Sequence, residues 1–543
     1  MTRPQSPRTS AVPDLRLLPP VLAGWLATRF GLTHAPAGTL VAAAGIAVVG
    51  AVVLCAARSG TTGPLVPIGA TMLVTATLAA SAAMHVYALH LGPVATLADE
   101  QARVTVQATV KGDAKPVKGT MVLLPVQIDE VSTKSGDGST AAGGSAGGSA
   151  DGPADGPADG SADGPAGGRI YGVKSQATVL ARLYQTDDLA RWLTLLPSMH
   201  VDLTGRLVPP KDPASGDAAT LMVNQPPRIL GGPDLLQRLA GKLRADLRQA
   251  VSGLPGEPAG VLPALTLGDT SAVPAQTTAD LKTAGLSYLV VVSGENLVFL
   301  SAAILPLARQ AGLRAHALAL FAALLALGFT ALARPGPPMV RATVTALLAS
   351  TAAATGRRFR GLTATAAAAL VLMLVDPWLA HAYGFVLSVA ATAGLLISAP
   401  GWRDRLITVH RVPRWIATAA AYTAAAEVYC EPLLVTFTGS LPLLAVPANI
   451  LAVPAAPPAT VLGVAAMAGQ ALWPAAGHVA AWLAQWPTRW ICLVAHTVAH
   501  VPGAALPWPT GLRGMLTLLL AYAIGRKVSR TVQQKLDLGG LSE

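Results

Sequence analysis

The chain has 543 residues, 52% of them hydrophobic and only 12% charged, with a formal net charge of +11 at pH 7. That much apolar surface excludes an ordinary soluble protein and points to a polytopic α-helical membrane protein. An aromatic share of 5% beside abundant Ala predicts helices that pack through small residues, as helices in lipid do.

The first residues, MTRPQSPRTSAVPDLR, are polar and basic and precede several apolar segments instead of one cleavable segment, so residues 1–16 read as a retained cytoplasmic tail. Apolar segments at 17–32, 40–57 and 64–91 make an N-terminal helical region over 17–94. Pro19 and Pro20 interrupt the first, which is expected to be tilted or interfacial; the other two are long enough to span. With the tail and Arg58 inside, the third emerges outside. Cys55, Cys430 and Cys492 lie within or beside apolar segments without CxxC spacing and are expected to pack, not to pair.

Residues 95–232 change character. RVTVQATV, GTMVLLPVQIDEV, YGVKSQATVLARL, HVDLTGRLV and TLMVNQ alternate with period 2, which predicts an extracytoplasmic β domain of about five strands, an OB-like barrel. Within it, residues 135–168 contain DGPADGPADGSADGPAGG, too rich in Gly, Ala, Pro and Asp to bury a core, and are expected to be a disordered insertion.

An amphipathic helix and linker follow at 233–260. Leu235, Leu236, Leu239, Leu243 and Leu247 share one face, with Arg238, Lys242, Arg244 and Arg248 elsewhere. The pattern is that of an interfacial basic helix on membrane lipid; a phosphate-binding rim is the sharper alternative.

Residues 261–526 read as a polytopic membrane domain. Basic stretches at 309–314, 356–360, 401–414 and 526–530 are separated by even numbers of apolar segments, which puts them all in the cytoplasm together with the tail at 527–543. Residues 415–438, 441–469, 475–500 and 510–525 supply the last four segments, for a total of about 9–11 transmembrane helices. Pro442, Pro447, Pro454, Pro457 and Pro458 crowd the second of these, which predicts a broken helix lining a cavity.

Within this domain, GLSYLVVVSGENLVFL (285–300) is a long apolar run interrupted by Ser293, Gly294, Glu295 and Asn296. A carboxylate at the centre of a membrane helix costs on the order of 2.5 kcal/mol or more, so Glu295 should face protein or water. Taken with ALTLGD at 264–269, the run resembles the ComEC family of competence proteins, in which an ALLLGD-type segment leads into an AVSGLHV-type segment. Members often carry His where this chain has Asn296.

The resemblance continues through PGPPMVRATVTALLAS, then LVDPWLAHAYGFVLSVAATAGLL, in which Val386, Leu387 and Ser388 replace the usual Gln-Leu-Ser, and through EPLLVTFTGSLPLLAVPANILAVPA with Asn449 at the matching position. It implies a channel that imports single-stranded DNA across the plasma membrane during transformation. It supports the OB-like domain and implies a helix-hairpin-helix DNA receptor and a cytoplasmic helicase or ATPase as partners; a homodimer is open. The metallo-β-lactamase-like domain of many members has no counterpart motif, HxHxDH, here. A GxxxxGK[ST] phosphate loop is also missing, so neither nuclease nor ATPase activity is expected, and no cofactor.

The channel and DNA-contact candidates are Asp269, Ser293, Gly294, Glu295, Asn296, Arg341, Asp376 and Asn449. Each has a plainer reading. Arg341 can snorkel to the outer interface, Asp376 before Pro377 can cap a turn, and Asp269 and Ser293 can fix the turn that carries Glu295. Glu427 and Glu431, four apart, share a helix face and repel if both are ionised, so a cavity or an Arg should face them. His496 and His500 have metal-helix spacing but neither the Glu of HExxH nor an evident third ligand, so no metal is expected. A transporter or assembly protein for another anionic polymer or small solute is the alternative function.

Overall fold

The computed structural model describes residues 16–58, 65–117, 121–133, 162–163, 169–182, 186–212, 215–334, 336–356 and 361–539. The expected tail up to residue 15, the basic residues 357–360 and most of the 135–168 insertion lie outside the described residues. The chain divides into two compact units, residues 26–59 with 72–241, and residues 1–25, 60–71 and 242–543.

The chain begins with α1 (Leu18–Thr33), α2 (Pro36–Arg58), α3 (Leu65–His90) and the short α4 (Pro93–Asp99). Pro19 and Pro20 fall in the first turn of α1, where a missing N–H costs nothing, so they start a continuous helix instead of breaking it.

The β domain contains β1 (Arg103–Val110), β2 (Lys115–Val117), β3 (Met121–Thr133), β4 (Ala162–Asp163), β5 (Arg169–Arg182), α5 (Thr186–Leu193), β6 (His200–Val208), β7 (Ala219–Val223) and β8 (Arg228–Gly231). The five long alternating runs are the five principal strands. β3 pairs with both β1 and β5, β5 runs parallel to β7, β7 pairs with β6, and β6 returns to β1, so the sheet closes on itself. Alternation turns Val104, Val106, Ala108 and Val110 of β1 inward against Leu124, Val126, Val179, Leu203 and Leu221. α5 and the turn after it add Trp192 and Leu195 to this core. Period-2 reading cannot see such a plug. Part of the expected insertion is ordered, because β4 pairs with the start of β5.

The second unit holds most of α6 (Leu235–Val251) and then α7 (Pro258–Leu267), α8 (Ala275–Thr283), α9 (Gly294–Gln310), α10 (Ala315–Ala333), α11 (Pro337–Ala354), α12 (Gly361–Val375), α13 (Tyr383–Ile397) and α14 (Ala399–Thr408). It ends with α15 (Arg414–Thr438), α16 (Ala445–Ala452), α17 (Ala456–Leu472), α18 (Pro474–Ala499) and α19 (Gly511–Gly539). Two short strands, β9 (Ser440–Pro442) and β10 (Ala505–Pro507), pair antiparallel and tie the turn after α15 to the turn before α19.

The expected broken helix is two helices, α16 and α17, joined by a 3₁₀ turn over Val453–Ala455. The prolines set that break because each lacks an N–H to donate. The basic stretch at 401–414 is largely helical as α14, with no Pro or Gly between Trp402 and Thr408 to stop it. The tail expected from 527 continues α19 to Gly539, since Lys527–Leu538 offers only helix-compatible residues.

Among the described residues, five stretches are long and apolar enough to cross a membrane: Pro36–Ala57, Leu65–His90, Ala315–Ala333, Tyr383–Thr408 and Ala445–Leu472. The other helices of residues 261–526 fall short of that measure, some in length and some because polar residues interrupt them, as Glu427 and Glu431 do in α15.

Candidate polar pathway

The interruption at Ser293–Asn296 is a helix start. Residues Ser287–Val290 form a 3₁₀ turn, the chain extends through Val291, and the Ser293 hydroxyl accepts from the Glu295 N–H at 3.2 Å to cap α9. Glu295 therefore sits in the first turn, where the helix dipole favours a negative charge. Asn296 is buried and donates from Nδ2 to the Leu265 carbonyl at 3.1 Å.

Close approaches at glycines bring the motif segments together. Gly268, at φ 68° after α7, lies where a Cβ would meet Val292 Cγ2 at 2.4 Å, so ALTLGD packs directly on VVSGEN. A Cβ on Gly294 would meet that of Ala342 at 2.5 Å, which seats α9 against α11 beside Arg341. Gly285 lies equally close to Ala445, the first residue of α16.

Asn449 of α16 links three elements. It is buried, its Oδ1 accepts from the Tyr288 hydroxyl at 2.6 Å, and its Nδ2 donates to the Ala445 carbonyl at 2.9 Å and to Glu427 Oε1 at 3.4 Å. Tyr288 also interacts electrostatically with Glu295 and Glu427. Glu431, one turn beyond Glu427, is buried, and its Oε2 has no hydrogen-bond partner among the described residues. Arg341 is buried on α11 and donates from Nε to Ser388 Oγ of α13 at 3.0 Å, so it does not snorkel to an interface. Sequence reasoning missed Tyr288, which reads as one more apolar residue of its run; its hydroxyl finds Asn449 across 161 positions.

Asp376 and Asp269 have partners of their own. Asp376 caps the 3₁₀ turn Pro377–Ala380 by accepting from the Trp378 N–H at 3.1 Å, the turn role. Asp269 accepts from Ser271 Oγ at 2.6 Å and Arg248 Nε at 2.7 Å. Burial alone would raise its carboxyl. The hydrogen bonds from Ser271 and Arg248, with the charges of Arg248 and Arg244, outweigh burial and hold it below its ordinary value. Arg248 and Asp269 line a cleft with Glu257 and Ser271.

The Leu face of the basic helix is only partly covered. α6 buries Ala240, Arg244, Leu247 and Val251, while Leu235, Leu236 and Leu239 are exposed. Arg244 donates to the Leu267 and Leu332 carbonyls, so only Arg238, Lys242 and Arg248 remain on the exposed side. Two backbone carbonyls accept from Nη1 of the buried Arg244 guanidinium. His496 gains a partner that spacing alone does not reveal, since its Nδ1 lies 3.1 Å from Oδ2 of Asp280.

Chemically, the cluster offers the hydroxyl of Tyr288, the amide of Asn449 and the carboxylate of Glu427, with the guanidinium of Arg341 buried on α11. Such groups can hydrogen-bond and balance charge. A family model described as Competence protein matches residues 265–528 of the chain. No curated protein and no solved structure matches it.

Proposed function

With residues 265–528 belonging to the competence protein family, we propose that this chain is a plasma-membrane channel subunit that imports single-stranded DNA during competence. The observation that carries this reading is the hydrogen-bonded group Tyr288, Asn449 and Glu427 at the junction of the family's motif segments, with Arg341 buried on α11 where α9 packs against it. Each nucleotide carries a phosphate charge that lipid cannot solvate, so import needs a hydrated, polar-lined path.

In this proposal the domain spans the membrane about 9–11 times, with α16 and α17 as a broken element at the path. Arg341 offsets phosphate charge, Asn296 and Asn449 hydrogen-bond the strand, and Glu295, Glu427 and Glu431 keep phosphates from lodging. The five-stranded closed ring of the β domain, with its helix between the third and fourth principal strands, supports an OB-like barrel, a form that binds oligonucleotides. We propose that it lies outside the membrane and receives the strand from a helix-hairpin-helix receptor, while a cytoplasmic helicase or ATPase pulls. Two of the channel candidates, Asp269 and Asp376, take structural roles in place of contact with DNA.

The test is uptake of labelled double-stranded DNA into nuclease-protected form in a deletion strain complemented with wild-type, Arg341→Ala or Asn449→Ala protein. Protected label is expected to fall at least tenfold in both variants at normal protein level, with surface-bound DNA unchanged. Unimpaired uptake in both refutes the residue assignments. Unimpaired uptake in the deletion strain itself refutes the channel and favours traffic of another polymer or solute.

A further inference from the structure

Away from the polar cluster, α8 and the end of α18 bring three metal-ligating side chains together. His496 lies in the last turn of α18 and His500 is its C-cap, and Asp280 arrives from α8, 216 positions before His496. One ligand atom from each lies within 4.8 Å of the other two. Asp280 is buried and both imidazoles are exposed, so the group opens outward while its carboxylate is shielded.

The inner geometry is that of a ligand pair. Asp280 Oδ2 and His496 Nδ1 are 3.1 Å apart. Two ligands on a tetrahedral zinc, at bond lengths of about 2.0–2.2 Å, stand roughly 3.3 Å from each other. A cation there replaces the proton that the two atoms share. The outer groups are held as second-sphere partners hold ligands: Gln276 Nε2 donates to Asp280 Oδ1 at 3.0 Å, and His500 Nδ1 bonds the His496 carbonyl at 2.8 Å, which leaves His500 Nε2 as its donor.

We propose that Asp280, His496 and His500 form a site for a divalent transition-metal cation of the zinc class, with water completing the coordination. Two imidazoles and one carboxylate suit such an ion, whereas magnesium and calcium prefer oxygen ligands throughout. The ion clamps α8 to α18. α8 leads through Gly285 to the start of α9, and α18 packs on α16 and α17, so the clamp joins the two chain segments that meet at Asn449.

The experiment uses the full-length protein in detergent, purified on an affinity tag without histidine, stripped with EDTA and titrated with zinc chloride. After dialysis the wild type is expected to retain about one zinc per chain and to melt at a higher temperature with zinc than with magnesium. Cobalt in its place is expected to give a visible absorption band. H500Q and D280N are each expected to weaken zinc binding at least tenfold. Should D280N fail to fold, H500Q decides alone, since His500 is exposed and, among the described residues, its side chain bonds the His496 carbonyl of the helix it caps. Wild-type protein without retained zinc, or H500Q with unchanged affinity, shows an ion pair between His496 and Asp280 only and overturns the proposal. None of these readouts depends on DNA uptake.

Discussion

Asp269 shows how one carboxylate of a recognisable motif can serve the fold. Its hydrogen bond from Ser271 and its pair with Arg248 join the end of α7 to α6. The Arg248 side chain is 56% exposed, so solvent screens its share and the Ser271 bond contributes most. Asp269→Asn is expected to lower stability by about 1–2 kcal/mol at neutral pH, read from thermal melts in detergent. The folded carboxyl titrates below its unfolded value of about 3.9, so this stabilisation is complete above that value and is lost as pH falls through the folded pKa. The gap between variant and wild type should therefore close in acid; a gap that is constant with pH assigns the effect to packing. Tyr288→Phe is the matching probe of the polar cluster. It removes only the hydroxyl that Asn449 accepts, so transformation should drop while the melting temperature shifts by no more than about 1.5 kcal/mol allows.

Close helix contacts decide what an element may carry on its packed face. Gly294→Ala forces a methyl into Ala342, and overpacking of this kind costs about 1–3 kcal/mol. Ala342→Gly in the same chain should recover most of that loss, because it vacates the space the new methyl needs. An additive double variant would mean that the two helices do not meet there. α6 carries a related lesson, since its Leu face is divided, with Leu235, Leu236 and Leu239 exposed and Leu247 buried, while Arg244 is buried as well. Periodicity reports which residues share a face; partners such as the Leu267 and Leu332 carbonyls decide which face is covered.

For the whole molecule, the proposed orientation has a direct check. With Cys55, Cys430 and Cys492 replaced, single cysteines at Lys174 in β5 and at Arg403 in α14 should differ in reach. A membrane-impermeant maleimide added to intact cells is expected to label the first and spare the second until the cells are opened. Labelling of Arg403→Cys in intact cells would reverse the orientation derived from the basic stretches.

Much of the organisation was legible in the chain because it is written locally. The apolar runs, the alternation of the barrel strands and the proline cluster between α16 and α17 each reflect rules that act over a few residues. The ordered motifs likewise marked most of residues 260–470, within the region where the family model matches residues 265–528. Tertiary structure decided the rest, because side chains far apart in sequence supply one another's partners. Only the fold brings Tyr288 to Asn449, Arg341 to Ser388 and Asp280 to His496, and a buried polar group without such a partner would cost more than the local pattern can reveal.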